Sequence, residues 1–442
     1  MRRKEICLAI LAFSQPLVAA DLLQTYREAR ANDPVYASAR AALEAGKEKL
    51  PQGKALLLPT ISSAANTTSN DSQISFRGGA NPGPFTRNFN SNGWTLTLSQ
   101  PLYRAQNWVQ YKQAEFQVAQ AEASFGQASQ DLIVRVSQAY FDVLASQDSL
   151  AFIQAQKTAI SEQLAQAKRN FEVGTATITD THEAQARFDL ATSQEIAAQS
   201  DLEIKKRALQ QLVGKFPEAL APLRTRAELN PPQPDAMEEW VASAEKQNFS
   251  VQIQEAGLEI AKREIARNRA GHLPTLDFVA NRGESGASNN ALTGIGNDQR
   301  FTTLGVQLNV PIYAGGSIDS RTREAVANQE KARQDLENAR RSVALLARQS
   351  YLGVTNGRAQ VKALEAALVS SQSALDSNKL GYEVGVRINI DVLNAQQQLF
   401  STKRDLSKAR YDTLVNGLKL KAAAGSLTEE DIEAVNRLLG TD

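Results

Sequence analysis

A chain of 442 residues is long enough for two or three ordinary domains. Its 42% hydrophobic content is weighted towards alanine, and aromatics make up only 6% of the chain, which favours long helices packed through small side chains over a large globular core. A formal charge of +1 supplies no net basic field and argues against a nucleic-acid partner.

The chain opens like an export signal. Arg2, Arg3 and Lys4 form a basic region, Ile6 to Phe13 a short apolar core, and Val18-Ala19-Ala20 small residues suited to cleavage before Asp21. The apolar run is too short to span a bilayer. The single cysteine, Cys7, lies inside this segment, so the mature chain is expected to hold no disulfide, thiol nucleophile, thiolate metal site or lipid attachment point. It has no long apolar helix, and any membrane entry must then be as a β-barrel.

Beyond the signal the chain is an internal duplication with a period of about 210 residues. Leu58-Pro59-Thr60 recurs as Leu273-Pro274-Thr275, and Ser99-Gln100-Pro101-Leu102-Tyr103 as Asn309-Val310-Pro311-Ile312-Tyr313. The expected boundaries are a signal peptide over 1–20, a first repeat over 21–213, a Pro-rich linker over 214–234, a second repeat over 235–423 and a terminal segment over 424–442. Each repeat is expected to begin with a helix, Asp21 to about Lys54 (with Pro34 in an early turn) and Asp235 to Arg269, stopped by Leu-Pro-Thr. Strands come next. Trp94 to Gln100 and Leu304 to Val310 alternate apolar and polar residues, and weaker partners lie over 60–68 and 275–280. Gly-, Asn- and Ser-rich loops are expected at about 69–91 and 282–300. Four strands cannot close a barrel, and an open sheet exposes two edges. Sharing one barrel among three copies gives twelve strands, an even number within the membrane range.

After each hairpin comes a very long helical stretch, free of proline from Leu102 to Phe216 and from Ile312 to the end. A seven-residue spacing runs through Tyr111, Val118, Phe125 and Leu132, with Ala114, Ala121 and Ala128 offset by three, and continues at Val136, Val143 and Leu150. This is coiled-coil-like patterning. One ten-residue stretch interrupts it in both halves: Phe171-Glu-Val-Gly-Thr-Ala-Thr-Ile-Thr-Asp180 and Tyr382-Glu-Val-Gly-Val-Arg-Ile-Asn-Ile-Asp391. Gly174 and Gly385 suit a left-handed helix stop, and Asp180 and Asp391 lie near the start of the returning helix. If these tips crowd about a symmetry axis, Arg387 can reach Asp180 or the Thr179 hydroxyl of a neighbouring hairpin, and Asp391 from three subunits makes an acidic ring.

Nothing in the sequence points to an enzyme, a cofactor or a metal. Of two histidines, His182 lacks the second histidine of a zinc helix, since Ala186 stands four residues on, and His272 ends a helix. There is no phosphate-binding loop and no nucleophile elbow.

The duplicated plan, both Val-Gly turns, the run Tyr382-Glu-Val-Gly-Val-Arg-Ile-Asn-Ile-Asp-Val-Leu-Asn-Ala-Gln396 and the tail Leu420-Lys-Ala-Ala-Ala-Gly-Ser-Leu-Thr-Glu-Glu-Asp431 together resemble the TolC family of outer-membrane channel-tunnels. The resemblance implies a mainly α fold of long-helix hairpins forming an α-barrel in the periplasm. A homotrimer would close the twelve-stranded barrel in outer-membrane lipid, with the linker and terminal segment as an equatorial belt. It implies a passive exit duct for type I secretion, small-molecule efflux or both, served by a periplasmic adaptor and an inner-membrane transporter such as an ABC or proton-driven pump. Position by position, Tyr382 and Arg387 match lock residues and Thr179 and Asp180 their partners. Asp391 matches a pore-lining aspartate, and Asn394 stands where the family pattern has a second one. Val173, Gly174 and Thr175, with Val384, Gly385 and Val386, mark the adaptor-docking tips. The absence of a lipid-anchor cysteine resembles the type I secretion branch. The competing reading is a periplasmic coiled-coil scaffold or adaptor that does not span a membrane.

Overall fold

The computed structural model describes residues 19–77, 83–215, 219–224 and 227–440. The basic and apolar parts of the expected export signal lie outside the described residues. The chain divides into two compact units, one of Met1–Ala41, Phe125–Val251 and Arg340–Asp442, the other of Ala42–Ser124 and Gln252–Ala339.

Polar caps divide the helices that open each repeat. The Asp33 carboxylate accepts from the backbone N–H groups of Val35 and Tyr36, both at 3.3 Å, and so starts a helix at Pro34. Proline suits a first turn, where its missing N–H has no partner to lose. The single helix expected over 21–54 is therefore broken at Asp33 and, with no side-chain cap, again at Glu48, giving α1 (Leu22–Asn32), α2 (Pro34–Lys47) and α3 (Lys49–Ala55). The helix expected over 235–269 is likewise split, into α6 (Met237–Gln247) and α7 (Phe249–Arg269). There Asn248 accepts from the Ser250 N–H at 2.8 Å and donates to the Ala423 carbonyl at 2.9 Å.

The second unit holds an antiparallel sheet in the order β1 (Thr60–Ile74), β2 (Phe85–Tyr103), β3 (Thr275–Ala287) and β4 (Asn297–Asn309). The strands run further than apolar alternation suggests, and the loops expected at 69–91 and 282–300 are correspondingly shorter. Polar composition does not stop the ladder because polar side chains match across it. Asn70 donates to the Ser91 hydroxyl at 3.0 Å, and the Thr97 hydroxyl donates to Asn281 at 2.8 Å. β1 and β4 are the outer strands, and both are largely exposed.

The corner between β2 and α4 (Ala105–Glu172) is fastened by a fork. Arg104 donates two 2.7 Å bonds to the Asp277 carboxylate of β3, whose side chain is 10% exposed. Asn107 and Gln100 donate to the carbonyls of Leu56 and Leu57, at 2.7 and 3.0 Å. Close approach of α3 to α4 needs glycine: a Cβ on Gly53 would stand 2.9 Å from the Ala114 methyl and 3.3 Å from the Tyr111 Cα.

In the first unit α4 returns as α5 (Ile178–Val213), and α8 (Ser317–Glu383) as α9 (Asn389–Ala423). At its 68 residues α4 is roughly 100 Å long. Leu132, Val136 and Val143, on the expected seven-residue pattern, are fully buried. They join a core with Leu22 and Ala29 of α1, Leu209 of α5, and Ile432 of α10 (Glu429–Asn436). The Thr428–Asp431 spacing forms the capping box that opens α10. Phe141 stacks on Tyr411 at 5.5 Å, and the Tyr411 hydroxyl donates to Asp148 at 2.8 Å.

The linker threads this unit. Ala20 bridges Leu220, and the buried Tyr140 hydroxyl donates to the carbonyls of Ala20 and Ala221, at 3.1 and 2.8 Å. A first mature residue at Asp21 would remove one of these acceptors. Among the described residues no helix is long and apolar enough to cross a membrane.

Two of these contacts have measurable effects on stability. Arg104→Ala strands the buried Asp277 carboxylate and should cost about 1–3 kcal/mol, read as a lower melting temperature in detergent, with Arg104→Lys recovering part of it. Burial pushes the Asp148 carboxyl above its ordinary range, against the Tyr411 and Ser407 hydrogen bonds that pull it down. The folded chain then keeps a proton that the unfolded chain releases, so stability falls as pH rises from the ordinary carboxylate value through the raised one. Asp148→Asn retains an acceptor for Tyr411 and should flatten that fall in melts run across pH.

Candidate functional site

The two hairpin turns are built alike. Gly174 and Gly385 both have φ of 79°, a left-handed conformation that glycine adopts without strain. The backbone bonds repeat as well: the N–H groups of Thr175 and Ala176 donate to the Asn170 carbonyl, and those of Val386 and Arg387 to the Gly381 carbonyl. Val173, Gly174 and Thr175 are exposed, as are Val384, Gly385 and Val386, so each tip presents a valine-bearing surface.

The returning helices start differently. α5 has a capping box: Thr177 accepts from the Asp180 N–H, and the Asp180 carboxylate accepts from the Thr177 N–H at 3.0 Å. α9 has no side-chain cap at Ile388. Asn389, its first residue, turns inward instead, accepting from Gln163 at 2.5 Å and donating to the Asp180 carbonyl at 3.4 Å. Beneath the turns, Ile160, Leu164 and Ala167 of α4 pack with Ala184 and Ala191 of α5 and Leu393 of α9. Leu375 of α8 packs with Val392 and Leu399.

The expected lock residues do not all meet within one chain. Tyr382 accepts at its hydroxyl from the Asn170 amide at 3.1 Å, joining one hairpin to the other. Arg387, in the turn, lies 3.8 Å from the Asp391 carboxylate in the first turn of α9, and its side chain is 59% exposed. Thr179 is exposed. Asp180 is engaged by its own cap, leaving Arg387 and Thr179 turned outward. Asn394 accepts from Arg187 of α5 at 3.0 Å, and the same guanidinium donates to Gln397 at 2.7 Å.

Sequence reasoning missed Asn170, Gln163, Asn389 and Arg187. The usable signal for Arg187 was its place between Ala184 and Ala191, which face the seam between helices. No cluster of His, Cys, Asp and Glu among the described residues is arranged to hold a metal.

Comparisons with known proteins agree with this architecture. A family model described as outer membrane efflux protein matches residues 25–215 and 240–426, one stretch in each repeat. Outer membrane protein TolC of Vibrio cholerae is 34% identical over 97% of this chain and 96% of its own length. Alkaline protease secretion protein AprF of Pseudomonas aeruginosa is 34% identical over 96% of this chain and 89% of its own. The crystal structure of the outer membrane protein VceC from Vibrio cholerae superposes with a TM-score of 0.78 at 18% identity, covering 91% of this chain and 96% of that one. The fold is thus that of α-barrel and β-barrel channels, with four strands as this chain's share of the sheet. The chain belongs to the outer membrane efflux protein family, the TolC family of channels, and is an outer-membrane exit duct.

Proposed function

We propose that three copies of this chain close a twelve-stranded barrel in outer-membrane lipid, and that the hairpin tips form a gate at the periplasmic entrance. The duct is passive. A periplasmic adaptor docks on the exposed Val173–Thr175 and Val384–Val386 tips, and an inner-membrane transporter, of the ABC or proton-driven kind, supplies energy and cargo. AprF is named for protease secretion, and secreted protein is the first cargo class we propose here, with small molecules the second. The chain itself catalyses no reaction.

The observation that carries the gate is the division of labour between two turns of the same backbone geometry. Tyr382 uses its hydroxyl inside the chain, on Asn170. Arg387 does not: its contact with Asp391 is long and exposed, so it is free to reach Thr179 or Asp180 of the next subunit. The lock then joins unlike copies, with Asp391 lining the constriction. A scaffold outside the membrane has no use for a sheet whose two outer strands are exposed.

Planar-bilayer recording of the purified channel tests the gate. The wild-type protein should conduct weakly. Arg387→Ala and Asp180→Ala should each raise conductance several-fold, and Tyr382→Phe, which loses one hydrogen bond of about 1 kcal/mol, should raise it less. Unchanged conductance in Arg387→Ala would show that the tips are not the gate.

We also propose that export removes residues 1–20. Sequencing the N-terminus of the exported protein should find Asp21 first. A start elsewhere would contradict this.

A further inference from the structure

Asn394 lies three residues beyond Asp391 on α9, about one helical turn further along. The amide is not left idle. Arg187, reaching across from α5, donates Nη2 to Asn394 Oδ1 at 3.0 Å and Nη1 to Gln397 Oε1 at 2.7 Å. Two neutral amide oxygens satisfy a guanidinium fork without cancelling its charge. The backbone under Arg187 is fixed, because Ala184 and Ala191 on either side of it are buried against α4 and Leu393.

Among the described residues Arg187 makes no ion pair with a carboxylate. Asp189, two residues on, accepts from Gln185 at 3.0 Å. Asp180 is held by the Thr177 cap. Asp391 has Arg387 at 3.8 Å. Each chain therefore presents the Asp391 carboxylate here, with the Arg187 guanidinium bonded to Asn394 a turn away.

We propose that Arg187 is a positioning and selectivity residue of the gate. It braces α5 to α9 within one chain through Asn394 and Gln397, and its uncancelled charge offsets the Asp391 ring, so that the constriction has little preference for cations. This inference rests on the gate reading above. An aspartate at 394 would pair with Arg187 as an ion pair and cancel that charge. The asparagine keeps the brace and leaves the charge in place.

The two roles separate in bilayer recordings made across a potassium chloride gradient, with Arg387→Ala as the reference for a working gate. Arg187→Gln should raise conductance several-fold and move the reversal potential towards that of potassium. Arg187→Lys keeps the charge but cannot fork between two amides. It should raise conductance while holding the wild-type reversal potential, and it also guards against a folding defect in the first variant. If Arg187→Gln changes conductance but not reversal potential, the selectivity role is overturned. If both Arg187 variants match the wild type while Arg387→Ala opens the channel, this inference fails and the gate stands. If Arg387→Ala also leaves conductance unchanged, the gate reading fails and this one fails with it.

Discussion

A strand whose outer N–H and C=O groups face hydrocarbon forfeits several kcal/mol for each group left unpaired. β1 and β4 are the outer strands of this chain's sheet, and neither is covered by another element among the described residues. In an outer-membrane protein such edges are tolerable only when they meet other edges. Four strands are too few to close on themselves, so closure needs further copies, and three give an even number in the range that membrane barrels use. The polar pair Asn70–Ser91 shows how the sheet extends past its apolar band without losing its backbone bonds.

The helices obey a related constraint. Helices this long cannot bury their apolar side chains within one hairpin, and Ile196 and Ile204 of α5 and Leu345 and Val369 of α8 remain exposed on this chain. Alanine and glycine let the helices that do touch come close, as Gly53 does against Ala114. Larger side chains gather where the linker crosses, around Tyr140, Phe141 and Tyr411. At the turns, two loops of one backbone geometry carry different chemistry. One caps itself through Thr177 and Asp180, and the other has no side-chain cap and carries an outward arginine. Duplication supplied the shared geometry, and divergence of a few side chains set the two copies apart.

Much of this was legible in the sequence, because the signals were periodic or local. The turn glycines, the seven-residue spacing through Leu132 and Val143 and the repeat offset all rest on backbone rules that act over a few residues. The features that were not legible were single polar caps that composition passes over and contacts distant in sequence. Asp33 splits a helix that composition alone would continue, and it does so while also bonding Arg135 at 2.8 Å. Asn248 does the same with help from Ala423. Loop length was overestimated because Asn and Ser mark turns only where no partner strand satisfies them. Arg187 carried no signal of its own beyond its place on the seam, since its two acceptors lie more than 200 residues away.

Everything proposed for the gate and the pore depends on three copies closing one sheet. Native mass spectrometry of the protein released from detergent tests that directly. The proposed barrel requires a single assembly of three chains that persists when β1 and β4 are intact and falls apart when proline, which cannot donate to a ladder, is placed in the outer edge of either strand. A monomer or a dimer as the dominant species of the unaltered protein would contradict the account.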